Sequence, residues 1–373
     1  MRRITALFFF IFCVSTVVAK ADKHYYFEHL KTTDGLPSNT IYCSIQDNSG
    51  FMWIGTRDGL CRYDGRTFVR LGEIVPDLSM CGKVLTMAED VQGRIWFSSS
   101  NGIYFYDPAT DESGILGIPE RRGCRDIQVD DNGNVWFAGN SLYRYDTANA
   151  GIHSYSLGGS RPVMLAHDSL GSIWVLLEDG SVYTYDKLKD TFKLQQLYFK
   201  IRIIEAIEDG RLLAATYDNN VMLIDCISLN SKMIYEGRGK KSILCLKEGS
   251  KGEFWIGTDS GLYVRRENDG YLGKALHDEA THSSISADYI TCIDKDRSGN
   301  LWIGTYYTGI NIWKDKGDEM SIYFTNPSEN SSKGKIVRGI TSDSDGNIWF
   351  CTEEGFLNRL DPQGHEMKNF TIT

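Results

Sequence analysis

Beyond residue 18 this chain has no second long apolar run, no cluster of basic residues and no CxxC pair. The first absence excludes a further membrane-spanning helix, which needs about 20 consecutive apolar residues. The second argues against nucleic acid or an anionic membrane as partner, since both are bound through clustered Lys and Arg. The overall charge agrees: 40 basic residues face 49 acidic ones, a net of −9. There is also no nucleophile elbow, no HExxH and no pair of carboxylates that spacing singles out. These absences favour a protein that is not an enzyme and holds no cofactor or metal. What is present is 12% aromatic and 24% charged, a globular composition, in a chain of 373 residues.

The N-terminus stands apart. Arg2 and Arg3 precede the apolar stretch Ala6 to Val18, and Ala19-Lys20-Ala21 fits an A-x-A cleavage site, so residues 1–21 read as a secretory signal peptide. Removing them leaves 37 basic against 49 acidic residues, a net of −12, because Arg2, Arg3 and Lys20 go with them. Cys13 goes too, leaving eight cysteines. An even count outside the cytoplasm permits disulfides. Yet Cys43, Cys245 and Cys292 occupy similar places in three repeats, which favours buried apolar thiols.

A fixed-period repeat dominates the rest. A glycine three residues before a tryptophan recurs at Trp53, Trp96, Trp136, Trp174, Trp255, Trp302 and Trp349, with spacings of 43, 40, 38, 81, 47 and 47. The long gap hides an eighth copy, Gly210 with Leu213 in the tryptophan slot. Each copy reads as an apolar strand, an Asp/Asn/Ser/Gly turn, a Trp-containing strand, a second turn, a third strand and a weaker fourth. Four strands in a period of about 40 to 45 residues predict a β-propeller blade. A buried Trp removes about 150–250 Å² from water, so one per blade would wedge neighbouring sheets together. The small residue two positions on (Gly55, Ser98, Ala138, Gly257, Gly304, Cys351) would let the next sheet approach. Leu213 predicts a fifth blade packed less well than the others.

Residues 25 to 30 look like an orphan fourth strand that completes the blade ending at Trp313, which protects the last edge of a ring. The expectation is a seven-bladed propeller over residues 22–322, with the repeat containing Trp349 outside it in residues 323–373. The polar spacer Asn326 to Ser332 supports a boundary there. A closed ring of eight blades is the alternative.

Thr33-Asp34-Gly35-Leu36-Pro37-Ser38-Asn39, followed by Gln46-Asp47-Asn48-Ser49-Gly50-Phe51-Met52-Trp53-Ile54-Gly55-Thr56-Arg57-Asp58-Gly59-Leu60, resembles the opening of the two-component regulator propeller. Ile303 to Asn311 is similar to that family's seventh repeat, and Glu353 to Pro362 to the first repeat of its second propeller. The resemblance implies a periplasmic sensor region of a hybrid two-component system in Bacteroides-type bacteria. Such proteins continue through a second propeller, an immunoglobulin-like domain, a membrane span, a histidine kinase and a receiver with a DNA-binding domain. Nothing in these 373 residues reads as a kinase, so that activity would reside in domains absent from this chain. The resemblance implies an oligosaccharide ligand, and association as a homodimer or with the remaining sensor and kinase domains.

In a propeller the turns between second and third strands share one face with the loops between blades. That face would carry Arg57, Asp58, Tyr217, Asp218, Asn219, Asp259, Tyr306 and Tyr307 as candidate ligand residues. Sugars need paired polar groups for hydroxyls and an aromatic plate for the C–H face, which favours Arg57 and the three tyrosines. The plain alternative is that these are ordinary hairpin residues. Asp294-Lys295-Asp296-Arg297-Ser298-Gly299 starts like an EF-hand but has Thr305 where a bidentate Glu is required. It and the Asp343/Asp345 segment read as turns, and His277 with His282 as solvated side chains. The rival classes are an extracytoplasmic lyase-type propeller enzyme and a protein-binding scaffold.

Overall fold

The computed structural model describes residues 25–75, 78, 81–118, 123–237, 241–314, 331–361 and 366–371. Residues 1–21, read above as a signal peptide, and most of the spacer before Ser331 lie outside the described residues. The protein is an all-β propeller of eight four-stranded antiparallel sheets. In the first, β2 (Ile41–Gln46), β3 (Met52–Thr56), β4 (Gly59–Tyr63) and β5 (Phe68–Arg70) pair in sequence order. The second to sixth sheets repeat this plan, with inner strands Val84–Glu89, Asp126–Val129, Pro162–His167, Ile201–Ile207 and Ile243–Glu248. The seventh draws three strands from Ile290–Trp313 and its fourth from the N-terminus, β1 (Phe27–Leu30). There Phe27 pairs with Trp313 and Leu30 with Ile310.

One aspartate per repeat sets the turn and the wedge together. Asp47 accepts the Trp53 Nε1–H at 2.7 Å through one carboxylate oxygen and the backbone N–H groups of Ser49 and Phe51 through the other. The same indole N–H to carboxylate bond recurs from Trp96 to Asp90, Trp136 to Asp130, Trp174 to Asp168, Trp302 to Asp296 and Trp349 to Asp343, at 2.7 to 3.1 Å. A buried indole N–H without an acceptor costs about 1–3 kcal/mol, which is why the two residues travel as a pair at a spacing of six. The exceptions follow the same rule. Where Leu213 replaces the tryptophan, the aspartate is replaced too, by Ile207, and both pack with Ile203 and Ile234. The expected looseness of the fifth sheet thus meets a fully buried Leu213 in an aliphatic site. In the sixth sheet the aspartate's place is Gly249, where a Cβ would lie 2.6 Å from Trp255 Nε1, and Trp255 instead donates to Glu253 Oε1 at 3.0 Å.

Five of the wedges lean on a ring of the neighbouring sheet. Trp53 meets Tyr106 of the second sheet at 5.8 Å between ring centroids, Trp96 meets Tyr145 at 5.1 Å, Trp136 meets Tyr185 at 4.8 Å and Trp255 meets Trp313 at 4.8 Å. Trp302 of the seventh sheet meets Tyr63 of the first at 6.0 Å. The inner strands of the first seven sheets touch in sequence order, and Ile290–Lys295 touches β2 in turn, so the contacts form a closed cycle. The eighth sheet, Val337–Ser342, Ile348–Thr352, Phe356–Leu360 and Met367–Thr371, stands differently. Among the described residues none of its strands makes an extended contact with another sheet. Its inner strand is exposed throughout, with Val337 at 54%, whereas the matching Val84, Ile243 and Ile290 are covered. No described helix is long and apolar enough to cross a membrane.

Candidate functional site at the channel mouth

The inner strands of the cycle surround a cavity of about 430 Å³ that takes lining residues from all seven. Pairing register puts the starts of these strands at the same end as the turns between second and third strands, since Ile41 pairs with Thr56, Ile201 with Thr216 and Ile290 with Thr305. Six of the seven inner strands carry a bulge at their second residue, which re-aims that side chain. The bulge residue is Tyr42 in the first sheet and Arg202 in the fifth, and Arg125 precedes Asp126 in the equivalent place of the third.

Two groups of side chains border this mouth. The first lies between the seventh and first sheets. Tyr289 and Tyr306 rings are 5.5 Å apart, and Tyr306 and Tyr307 meet edge to face at 4.4 Å. Tyr307 is 71% exposed. Tyr42 lines the cavity, and its hydroxyl pKa is pushed up by burial first and by Tyr306 and Asp58 nearby, with Arg57 opposing. Arg57 and Asp58 form an exposed pair at 3.5 Å in the β3 to β4 turn. The second group spans the third to fifth sheets. Arg161 grips the Glu178 carboxylate with both Nε and Nη2 at 2.9 to 3.1 Å, and Arg125, which lines the cavity, reaches it at 3.5 Å. The Tyr217 hydroxyl donates to the Glu178 carbonyl at 2.7 Å.

The remaining sequence candidates serve the loops. Asn219, at a φ of 60°, accepts from Arg202 Nη2 at 3.0 Å and from the Ile243 N–H at 3.3 Å. Asp259 accepts from the Ser242 N–H at 3.2 Å and from the Ser260 hydroxyl at 2.8 Å. Asp218 occupies the turn that Thr216 and Asn219 close. The structure thus gathers Arg57, Asp58, Tyr306 and Tyr307 on one side of the mouth and Tyr217 with Asn219 on another. Sequence reasoning missed Tyr42, Tyr289, Arg125 and Arg161, all in or just before inner strands. The available signal was the polar or aromatic residue at each strand's start.

Below the mouth a belt of charge was also missed. Opposite the tryptophan slot of the fifth, sixth and seventh sheets stand Glu205, Lys247 and Asp294. Lys247 donates to Glu205 at 2.5 Å. Asp294, expected in a turn, is instead a strand residue. It accepts from the N–H and hydroxyl of Ser44 across the seventh to first junction. Asp126 joins three sheets, accepting from Thr86 Oγ1 at 3.2 Å and from the Leu165 N–H at 2.8 Å. Desolvation pushes the Asp126 carboxyl up to about 7 against these hydrogen bonds, and raises Asp294 despite Lys247. Among the described residues no three His, Cys, Asp or Glu side chains group so that they could hold a metal ion. None of the eight described cysteines is in a disulfide, and burial raises the pKa of Cys43, Cys245 and Cys292. His277 is not simply solvated: its Nδ1 lies 2.9 Å from the Ile285 carbonyl.

The comparisons agree with this architecture. The two component regulator propeller family matches at residues 35–58, 284–307 and 331–354. A histidine kinase P4 of Formosa agariphila is 35% identical over 69 residues, 18% of this chain and 5% of that protein. Two extracellular domains of hybrid two component systems of B. thetaiotaomicron superpose with TM-scores of 0.68 and 0.69 at 20% and 19% identity, covering 92% and 93% of this chain. The chain spans 47% and 49% of those two structures. A virginiamycin B lyase of Staphylococcus aureus shares the fold at a TM-score of 0.61 and 15% identity, over 78% of this chain and 99% of the lyase. With three separate matches set on strands of this fold, the chain is a propeller three segments of which are similar to the two component regulator propeller family.

Proposed function

We propose that this chain is the periplasmic, ligand-sensing part of a hybrid two-component signalling system, and that it recognises a glycan-derived oligosaccharide at the channel mouth. The observation that carries the reading is the group of exposed rings, Tyr289, Tyr306 and Tyr307, set beside Tyr42 and the Arg57/Asp58 pair. An aromatic face packs on the C–H side of a sugar ring, while charged and amide groups take its hydroxyls. In this reading residues 1–21 are removed on export, residues 22–322 form a seven-bladed ring and residues 323–373 begin a second propeller. The bare inner strand of the eighth sheet, with Val337 and Ile340 exposed, supports association with further sensor domains or a second copy. The protein acts without turnover, its output passing to kinase domains outside these residues.

The test is calorimetric titration against oligosaccharides cut from structurally different glycans. A binding probe should lose about five- to tenfold in affinity with Tyr307→Ala, the loss expected for one stacking ring, at an unchanged melting temperature. Unaltered affinity would move the site elsewhere. Release of a cleaved product from any probe would instead favour the enzyme reading.

A further inference from the structure

We infer that the ligand is an anionic oligosaccharide, one bearing carboxylate or sulfate groups, and that Arg125 and Arg161 seat its negative charge. This rests on the reading of the mouth as an oligosaccharide site. The chain as a whole is acidic, at −9, yet the side of the mouth formed by the third to fifth sheets runs the other way. Arg125, Arg161, Lys200 and Arg202 stand there against Glu178, Asp179 and Asp218, and among the described residues Glu178 is the one carboxylate within ion-pair reach of any of the three arginines. Four positive groups against three negative ones leave one positive charge over, and at Glu178 itself two guanidiniums share a single carboxylate. Arg202 spends its Nη2 on neutral acceptors, Asn219 Oδ1 and the Ile243 carbonyl, and makes no ion pair among the described residues.

The bland reading is a solvated surface ion pair. Such a pair is balanced, as Arg57 with Asp58 is across the mouth, whereas the Glu178 group is two against one. The Arg125 and Arg161 side chains are 54% and 51% exposed, so their remaining donors are open to a ligand. A guanidinium presents a planar fork that matches a carboxylate or sulfate in bidentate fashion. Tyr217, anchored to the Glu178 carbonyl, sets an exposed ring beside these forks. Arg125 and Tyr42 line one cavity, so an oligosaccharide can place its acid group on one side of the mouth and a stacked ring on the other. Glu178 then acts as an internal competitor that the ligand's anion displaces.

The experiment titrates the full chain, at low and high salt, with an oligogalacturonate, its methyl ester, a sulfated oligosaccharide and the desulfated form of the same sugar. The charged probes should bind at least about tenfold more tightly than their neutral counterparts, and salt should weaken them selectively. Arg125→Gln with Arg161→Gln should abolish that preference at an unchanged melting temperature. Glu178→Gln should raise affinity for the charged probe about two- to fivefold, by removing its competitor. The carboxylated and sulfated arms separate the two kinds of anion. Equal affinity for charged and neutral forms, or charged binding indifferent to the arginine pair, would overturn the anionic assignment and leave the oligosaccharide reading standing. Failure of every charged and neutral probe to bind would overturn both.

Discussion

At the residue scale the repeat is a set of pairs whose members only make sense together. The glycine two places after the tryptophan faces a cysteine across the strand pair in three sheets: Gly55 with Cys43, Gly257 with Cys245 and Gly304 with Cys292. A Cβ added to Gly304 would lie 2.6 Å from Cys292 Sγ and 2.8 Å from Ile41 Cγ2 of the neighbouring sheet. Overfilling a packed site of this kind costs about 1–3 kcal/mol, so Gly304→Ala should lower stability by that amount in urea unfolding. Adding Cys292→Ala, which removes the sulfur, should return part of the loss, a non-additivity expected of residues in contact. A single variant as stable as the parent would show that close approach is not what the glycine serves. The eighth sheet supports the pairing by inverting it, with Gly339 opposite Cys351. Glycine and tryptophan were both legible in the sequence, since period alone exposes them. Their partners were not, because Asp47 to Trp53 and Cys43 to Gly55 are relations of register, and Asp47 by itself looks like ordinary turn chemistry.

At the scale of elements, β1 ties the N-terminal end of the described chain to the seventh sheet, beside the first. An isolated Tyr-Tyr-Phe-Glu-His-Leu strand in the sequence was enough to foresee its pairing with the strand ending at Trp313. The chemistry that surrounds it was not foreseen. His29 donates through Nε2 to the Ser284 carbonyl at 2.9 Å, and Glu28 pairs with Lys314 at 2.5 Å. Burial lowers the His29 pKa, and Lys31, His277 and His282 add to the effect, against the Ser284 bond. The fold therefore prefers the neutral imidazole. That preference leaves stability intact above the ordinary histidine value of about 6.5 and erodes it as pH falls below that value. Thermal unfolding between about pH 7 and about pH 5.5 should accordingly show a steeper fall for the parent than for His29→Gln, whose amide can keep the bond to Ser284 without titrating. Parallel curves would place the acid sensitivity elsewhere.

At the scale of the whole molecule, the same geometry that was easiest to read from the sequence conceals the part hardest to read. Period and composition announce a ring of sheets, but what a ring encloses depends on which inner-strand side chains meet across it. Asp126 and Glu205 are 79 positions apart in the numbering and share one cavity. The mouth was half legible for the same reason: its turn residues could be listed by analogy between repeats, whereas Tyr42 and Arg125 reach it only because their strands start there. The belt also gives the molecule a second pH dependence, opposite in sign to that of β1. Asp126 binds its proton up to about pH 7 in the folded protein, while an unfolded chain releases it near about 3.9. Between those values the folded state holds more protons, so this residue makes stability decline as pH rises, and the full penalty is present above about pH 7. Asp126→Asn is neutral throughout and can still accept from the Leu165 N–H. Its melting temperature should therefore match or fall below that of the parent at about pH 5 and exceed it at about pH 8. If the difference between the two proteins stays constant across that range, Asp126 does not carry its proton within the channel, and the belt holds the sheets together as a fixed set of charges.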